Sequence, residues 1–334
     1  MESCLALTVS DQGLYGADAP DIGRVLYDTT NGVIPVLING AAGTGHTEAE
    51  WQNLRQVFRE AGAEVRIMPA RTGKELVELA HQVRQARPRT VVAGGGDGTV
   101  NAVASVVAGT GIALGILPLG TLNHFAKDLN IPLDLQQAAR TIVHGQRVNV
   151  DVGEVNGQIF INNSSLGLYS RIVLERRTQQ RRLGRGKWSA LFSATLTVLR
   201  RSPFLGVRLR LQDQERRYRA PLVFIGNNEY VMEGFDIGKR ARLDAGILSI
   251  YVTQRRGRWG LAGLAVRALF GRLRQAKDFE ALTAHTAEIT THRRQVHVAT
   301  DGEVRVMDTP LRYRIRPRDL RVIIPAAPPT KTLN

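Results

Sequence analysis

The apolar residues change rhythm once along the chain, and the change divides it. From Val33 to Asn39 a continuous run, Val-Ile-Pro-Val-Leu-Ile-Asn, is too short for a buried helix and predicts a strand covered on both faces. The small-residue loop Gly40 to Gly45 follows, and helical spacing predicts a helix over about Glu48 to Ala61. The order repeats with a strand at Glu64 to Met68 and a helix at about Lys74 to Arg87. It repeats again with a strand at Thr90 to Ala93, the loop Gly94 to Gly98 and a helix from about Thr99 to Ala108. A strand at Ala113 to Leu117, the turn Pro118 to Asn123 and another helical start close the series. Strands alternating with helices of about 10 to 15 residues predict an α/β domain with a mostly parallel, Rossmann-like sheet.

After about Val148 the period falls to two. Val207 to Leu211, Leu222 to Ile225, Ile247 to Val252, Gln295 to Val298 and Leu311 to Ile315 are short alternating runs, which predict a β-sandwich. Two helical inserts, about Gly186 to Arg200 and about Leu261 to Lys277, carry apolar stripes edged with Arg and Lys. The organisation expected is a weakly ordered leader at 1–30, an α/β nucleotide-binding domain at 31–148, a β-sandwich domain at 149–324 and a Pro-rich tail at 325–334.

Composition narrows the partners. The 334 residues leave room for two cores, and 43% hydrophobic with 22% charged residues is ordinary for a folded protein. The longest apolar segments, Trp259 to Gly271 and Ser189 to Leu199, fall short of the ~18 residues of a membrane-spanning helix, and Arg267 interrupts the first. Met1 to Leu5 offers no basic region ahead of an apolar one, so no secretory signal is expected. Lys and Arg number 45 against 30 Asp and Glu, a formal charge of +15, which points to an anionic partner: nucleic acid, membrane surface or polyphosphate. Aromatics at 6% give base stacking little support, so no nucleic-acid partner is expected. The single Cys4 cannot form an internal disulfide and the seven histidines are dispersed, which favours a cytoplasmic protein without a structural zinc site.

Candidate chemistry lies in the loops. Gly94-Gly95-Gly96-Asp97-Gly98-Thr99-Val100-Asn101 joins a buried strand to a helix start, where glycines let backbone N–H groups approach an anion and the helix adds about half a positive charge. Asp97 beside a phosphate calls for a screening cation, so Mg²⁺ carried by a nucleotide is its expected partner. The loop Leu117-Pro118-Leu119-Gly120-Thr121-Leu122-Asn123 also ends a strand, and Gly120, Thr121 and Asn123 join the nucleotide-binding candidates. Gly40 to Thr47 matches phosphate-loop spacing except that His46 stands where lysine is required, which removes that reading.

These blocks resemble the diacylglycerol kinase catalytic-domain family, which includes bacterial lipid kinases and is related to sphingosine kinases. The resemblance runs through Asn39 to Gly43, residues 94 to 101, Pro118 to Ala126, Phe160 to Gly167, Asn227 to Gly246 and Val298 to Glu303, in the family's order. It implies an ATP-dependent lipid kinase that moves the γ-phosphate of Mg-ATP to a hydroxyl of diacylglycerol or of a related glycerolipid or sphingoid lipid. By that resemblance Asn39, Gly94, Gly95, Gly96, Asp97, Gly98, Thr99, Asn101, Gly120, Thr121 and Asn123 are nucleotide contacts. Asp97 meets the metal of Mg-ATP and shares catalysis with Glu303, the proton acceptor. Taken alone, Asp301-Gly302 reads as a hairpin turn. Departures include Ala102 for a frequent Glu, His124 for a frequent Asp, a Met68-Pro69 strand end without the family's threonine, and Ala245 for the aspartate of a second Mg²⁺ site.

Arg176, Arg177, Arg181, Arg182, Arg185 and Lys187 precede the apolar stripe Leu191, Phe192, Leu196 and Leu199, and Arg200 and Arg201 close it. Such a rim suits a lipid substrate met at an anionic membrane, on its inner face. Oligomeric state stays open, a homodimer included. Two other readings stand beside the lipid kinase: a soluble metabolite kinase of NAD type, and a nucleotide- or nucleic-acid-binding protein without catalysis.

Overall fold

A computed structural model describes residues 32–39, 48–167, 204–212, 214–230, 240, 242–253 and 279–326. The leader, the loop 40–45, the basic segment 176–201, both helical inserts and all but the first two residues of the tail lie outside the described residues.

The first region follows the expected alternation: β1 (Ile34–Asn39), α1 (Glu48–Glu60), β2 (Val65–Ala70), α2 (Gly73–Gln85), β3 (Thr90–Gly95), α3 (Asp97–Val107), β4 (Ala113–Pro118), α4 (His124–Asp128) and α5 (Leu135–His144). β1 to β4 pair in parallel in the order β2-β1-β3-β4. β3 and β4 are buried throughout, as their unbroken apolar runs require. Local chemistry fixes the helix starts. Thr72 Oγ1 accepts the N–H of Glu75 at 3.1 Å, Glu75 reaches back to the N–H of Arg71, and Asp134 accepts the N–H of Gln137 at 2.9 Å. Phe58, Leu76, Val103 and Ile142 carry the helices' apolar faces into the sheet.

The second region is antiparallel. β7 (Asn163–Gly167), β10 (Leu222–Asn227), β11 (Leu248–Thr253), β12 (Phe279–Ala284), β14 (Gln295–Thr300) and β15 (Glu303–Asp308) form a six-stranded sheet in the order β12-β11-β10-β7-β14-β15. It packs on β8 (Leu205–Leu211), β9 (Gln214–Ala220), β13 (Thr286–Thr291) and β16 (Leu311–Ile324). Val207, Leu209, Ile289 and Tyr313 on one side meet Leu166, Val223, Ile225, Ile250 and Val298 on the other. This is the expected sandwich.

The two regions share a sheet. β16 pairs with β13 and with β5 (Gln146–Val155), passes an irregularity between Arg316 and Leu320, and then pairs in parallel with β4 at Val322↔Leu114. Its first half sends Leu311 and Tyr313 into the second core, and its last residues send Leu320 and Val322 into the first. The boundary expected at 148/149 falls inside β5, whose Val150 and Val152 belong to the first core and Val155 to the second. β6 (Gln158–Phe160) turns back from β5 at Asn156 and Gly157, and its position brings the sandwich against α3.

Candidate functional site

Two glycine loops leave the carboxyl ends of adjacent parallel strands and touch through their backbones. A Cβ on Gly120 would lie 2.3 Å from the Cα of Gly96, so this contact admits no side chain. Gly95 is equally closed, since its Cβ would meet Thr99 Oγ1 at 2.4 Å. Gly98 has nothing within 4 Å of its Cβ position and faces open space. The N–H groups of Thr99 and Val100 close on the carbonyl of Gly96, leaving those of Asp97 and Gly98 at the mouth of α3, where the helix dipole favours an anion.

Asp97 does not point into this space. Its Oδ2 accepts the N–H of His124 at 3.2 Å and its Oδ1 that of Phe125 at 3.1 Å, so the carboxylate caps α4 and clamps the second loop to the first. Asn123 is likewise committed. At a φ of +49° it accepts the N–H of Gly120 and donates to the carbonyls of Pro118 and Gly120, holding its own turn closed. The metal-handling and catalytic parts expected of Asp97, and the nucleotide contact expected of Asn123, fall on side chains that here hold the two loops together.

A cavity of about 810 Å³ opens below the loops. Asn39, Gly96, Gly98, Thr99, Asn101 and Gly120 line its first wall, α2 contributes Lys74 and Glu78, and the sandwich contributes Gln158, Glu303 and Arg305. Gly94, Gly95, Asp97, Thr121 and Asn123 are not in its lining. Asn101 is 8% exposed, and its Oδ1 has no partner among the described residues. A buried acceptor without a donor on a cavity wall fits a ligand that brings its own hydroxyl or amine.

Glu303 reaches the cavity because the hairpin that carries it is pinned. Asp301 (φ +46°) and Gly302 (φ +81°) form the turn between β14 and β15. The Asp301 carboxylate accepts N–H bonds from Ile161, Asn162 and Asn163 at 2.8 to 2.9 Å. Burial pushes that carboxyl up to about 6, against the pull of these three donors. The hairpin turn is present as read: Asp301 fixes it, and Glu303, two residues on, lines the cavity.

A buried arginine joins the regions behind the wall. Arg240 donates to Asp128 at 2.8 Å, to the carbonyls of Ile161 and Asn227 and to Asn162 Oδ1, and lies over the rings of Phe125 and Tyr230. Burial raises the Asp128 carboxyl while Arg240 opposes it, and burial pushes the Tyr230 hydroxyl up to about 12. At the doubtful second metal position, Asp244 accepts a hydrogen bond from Arg242 at 3.1 Å, which holds its carboxyl below the usual range. No group of three or more His, Cys, Asp or Glu among the described residues could hold a metal ion. Another cavity of about 810 Å³ lies on the outer face of the large sheet, but its wall is a ladder of mutually paired charges, with Arg314 on Glu154 and Arg312 on Glu288.

Comparison with known proteins shows what each region resembles. Residues 34–155 match the model of the diacylglycerol kinase catalytic domain, and residues 167–324 match that of the YegS C-terminal NAD kinase β-sandwich-like domain. The chain thus carries a region similar to a diacylglycerol kinase catalytic domain, followed by one similar to the YegS C-terminal domain. Relatives include a "Probable lipid kinase YegS-like" protein of Chromohalobacter salexigens, 33% identical over 201 residues, 59% of this chain and 64% of that protein. One of the same description from Yersinia pestis (strain Pestoides F) is 48% identical over 91 residues, 26% of this chain and 31% of that protein. The chain thus spans somewhat under two thirds of the first relative's length. A diacylglycerol kinase structure from Bacillus anthracis str. Sterne shares the fold, with a TM-score of 0.64 and 21% identity over 88% of this chain and 97% of that one. Family members use ATP as phosphate donor, and no helix among the described residues is long and apolar enough to cross a membrane.

The sequence missed Lys74, Gln158, Arg305 and the Arg240 junction. Only Arg305 left a signal: two residues after Glu303 on a strand, it shares that side chain's face.

Proposed function

We propose that this protein is an ATP-dependent lipid kinase that transfers the γ-phosphate of Mg-ATP to a hydroxyl of diacylglycerol or a related glycerolipid or sphingoid lipid. One observation carries the reading: the glycine bend and Glu303, 200 residues apart in the chain, line the same cavity. The triphosphate lies on the N–H groups at the mouth of α3, and its magnesium arrives on the nucleotide. Thr99 and Asn101 hold the nucleotide beneath the loop, with the Asn101 Oδ1 satisfied by a ligand donor. Glu303 takes the proton of the acceptor hydroxyl as its oxygen forms the new bond to Pγ and the bond from Pγ to the bridging oxygen of ADP breaks. Asp97 acts through the loops, holding them in register. Docking at an anionic membrane through the segment 176–201 belongs to the same reading.

The test is incubation of purified protein with [γ-³²P]ATP, Mg²⁺ and mixed vesicles of diacylglycerol, monoacylglycerol, sphingoid base and anionic phospholipid. Label extracting with the lipid is the expected result, and no label in any acceptor overturns the proposal. The NAD kinase likeness of the second domain model makes NAD a necessary parallel acceptor, and label in NAD alone moves the reading to a soluble metabolite kinase.

A further inference from the structure

Transfer of a phosphoryl group requires that its spreading negative charge be met by cations or donors fixed before the reaction. The glycine-loop wall of the cavity meets it with backbone N–H groups and uncharged side chains. Its described lining from the glycine loops, Gly96, Gly98, Thr99, Asn101 and Gly120, holds no cationic side chain, and Asp97 is turned to α4. Two cations line the cavity among the described residues. Lys74 sits on the outer turn of α2 with its side chain 89% exposed, paired with Glu78 one turn further on at 3.6 Å, which is the arrangement of a solvated helix pair. Arg305 is held by a second element as well. It stands on β15, two residues beyond Glu303 on the same face, about 7 Å along the strand. Its Nη2 lies 3.4 Å from Glu303 Oε2, and its Nη1 donates to Gln158 Oε1 at 2.5 Å.

The guanidinium is therefore held from both sides, by β6 and by its own strand, with a face still turned to the cavity. Half of its side chain is open to solvent. A planar fork with five donors matches the oxygens of a terminal phosphate in a way that an ammonium does not. Its link to Glu303 is long enough at 3.4 Å to be exchanged for a phosphate contact, and Gln158 keeps it aimed while that happens.

The geometry points to Arg305 as a catalytic residue that binds the terminal phosphate of ATP from the sandwich side of the cleft, opposite the glycine loops. This rests on the kinase reading above and adds the group that meets the γ-phosphate. In the step itself Arg305 neither gains nor loses a proton. It neutralises charge on the three outer oxygens of the transferring group while Glu303 takes the hydroxyl proton.

The test separates the two claims by measuring binding as well as turnover. Equilibrium dialysis of wild type and Arg305→Gln against Mg-ATP and Mg-ADP needs no lipid acceptor. About tenfold weaker binding of ATP with ADP binding unchanged is the expected result, because only ATP carries the phosphate that Arg305 touches. Equal affinities for both nucleotides in wild type and variant, or an equal loss of both, overturn the assignment. In the vesicle assay Arg305→Gln loses a hundredfold or more in kcat, and free guanidinium added to Arg305→Ala restores part of it. A merely structural ion pair gives no such rescue, and its absence counts against the role. Unchanged thermal melting of the variants shows that the fold persists, as expected for an exposed edge-strand side chain. Wild-type protein that binds ATP through Arg305 and labels no lipid sinks the lipid-kinase reading alone.

Discussion

Across the cleft, one wall works mainly through backbone and the other through charged and polar side chains. The glycine-loop wall meets its ligand with N–H groups at a helix start, and its close contact at Gly96 and Gly120 exists because neither residue has a Cβ. The sandwich wall presents Gln158, Glu303 and Arg305 from an edge hairpin and a short strand, three side chains that can change identity without disturbing a core. Backbone chemistry is inseparable from the fold that holds it, whereas side-chain chemistry can be removed and the scaffold kept. Substitutions in the first wall should register as lost stability or a blocked approach, and those in the second as lost rate.

The sharpest test is Glu303→Gln. Removing the proton acceptor should lower kcat for lipid phosphorylation by about 10²- to 10⁴-fold with the melting temperature unchanged, since the residue is exposed. A variant as active as wild type would leave the side-chain wall without its chemistry. Gly120→Ala should behave oppositely. Its methyl group meets backbone 2.3 Å away, so the loops must separate at a cost of about 3 kcal/mol, read as a melting temperature several degrees lower. An alanine variant melting like wild type would show that the two loops give way easily, and the contrast between the walls would weaken. The smallest effect belongs to Gly98→Ala. With nothing within 4 Å and a helical position, the change should leave stability equal or slightly raised, by under about 1 kcal/mol. The methyl group stands on the cavity wall, so ATP affinity should fall by about an order of magnitude in the same dialysis experiment. Unchanged affinity there would mean that the phosphates do not approach the backbone at Gly98.

How much of this was legible in the sequence follows the same division. The strand-loop-helix order, the period-two second region and the block from Gly94 to Asn101 are local patterns, and the described elements follow them within a few residues. The structural partners of Asp97 were not legible, because its charge suggests a cation while the groups that meet it are N–H donors 27 and 28 residues along the chain, brought close only by the packing of one loop on the other. Asn123 is a related case, since an amide able to serve a ligand is equally able to close its own turn. Gln158 and Arg240 acquire meaning only when β6 and the end of β10 meet the first region, and no spacing rule announces that meeting. The division between 148 and 149 rested on a change of period, and the pairing of β5 with β16 continues straight across it.

That last strand bears on how the protein can come into being. A chain leaving the ribosome has all of β1 to β4 long before Leu320 and Val322 are made, yet these two residues fill the first core and Val322 pairs beside β4. The nucleotide half waits for the end of β16 before its sheet is bordered and its interior sealed. Premature termination before residue 311 would yield two unfinished halves instead of one finished one, and the cell would meet the product as a substrate for its proteases.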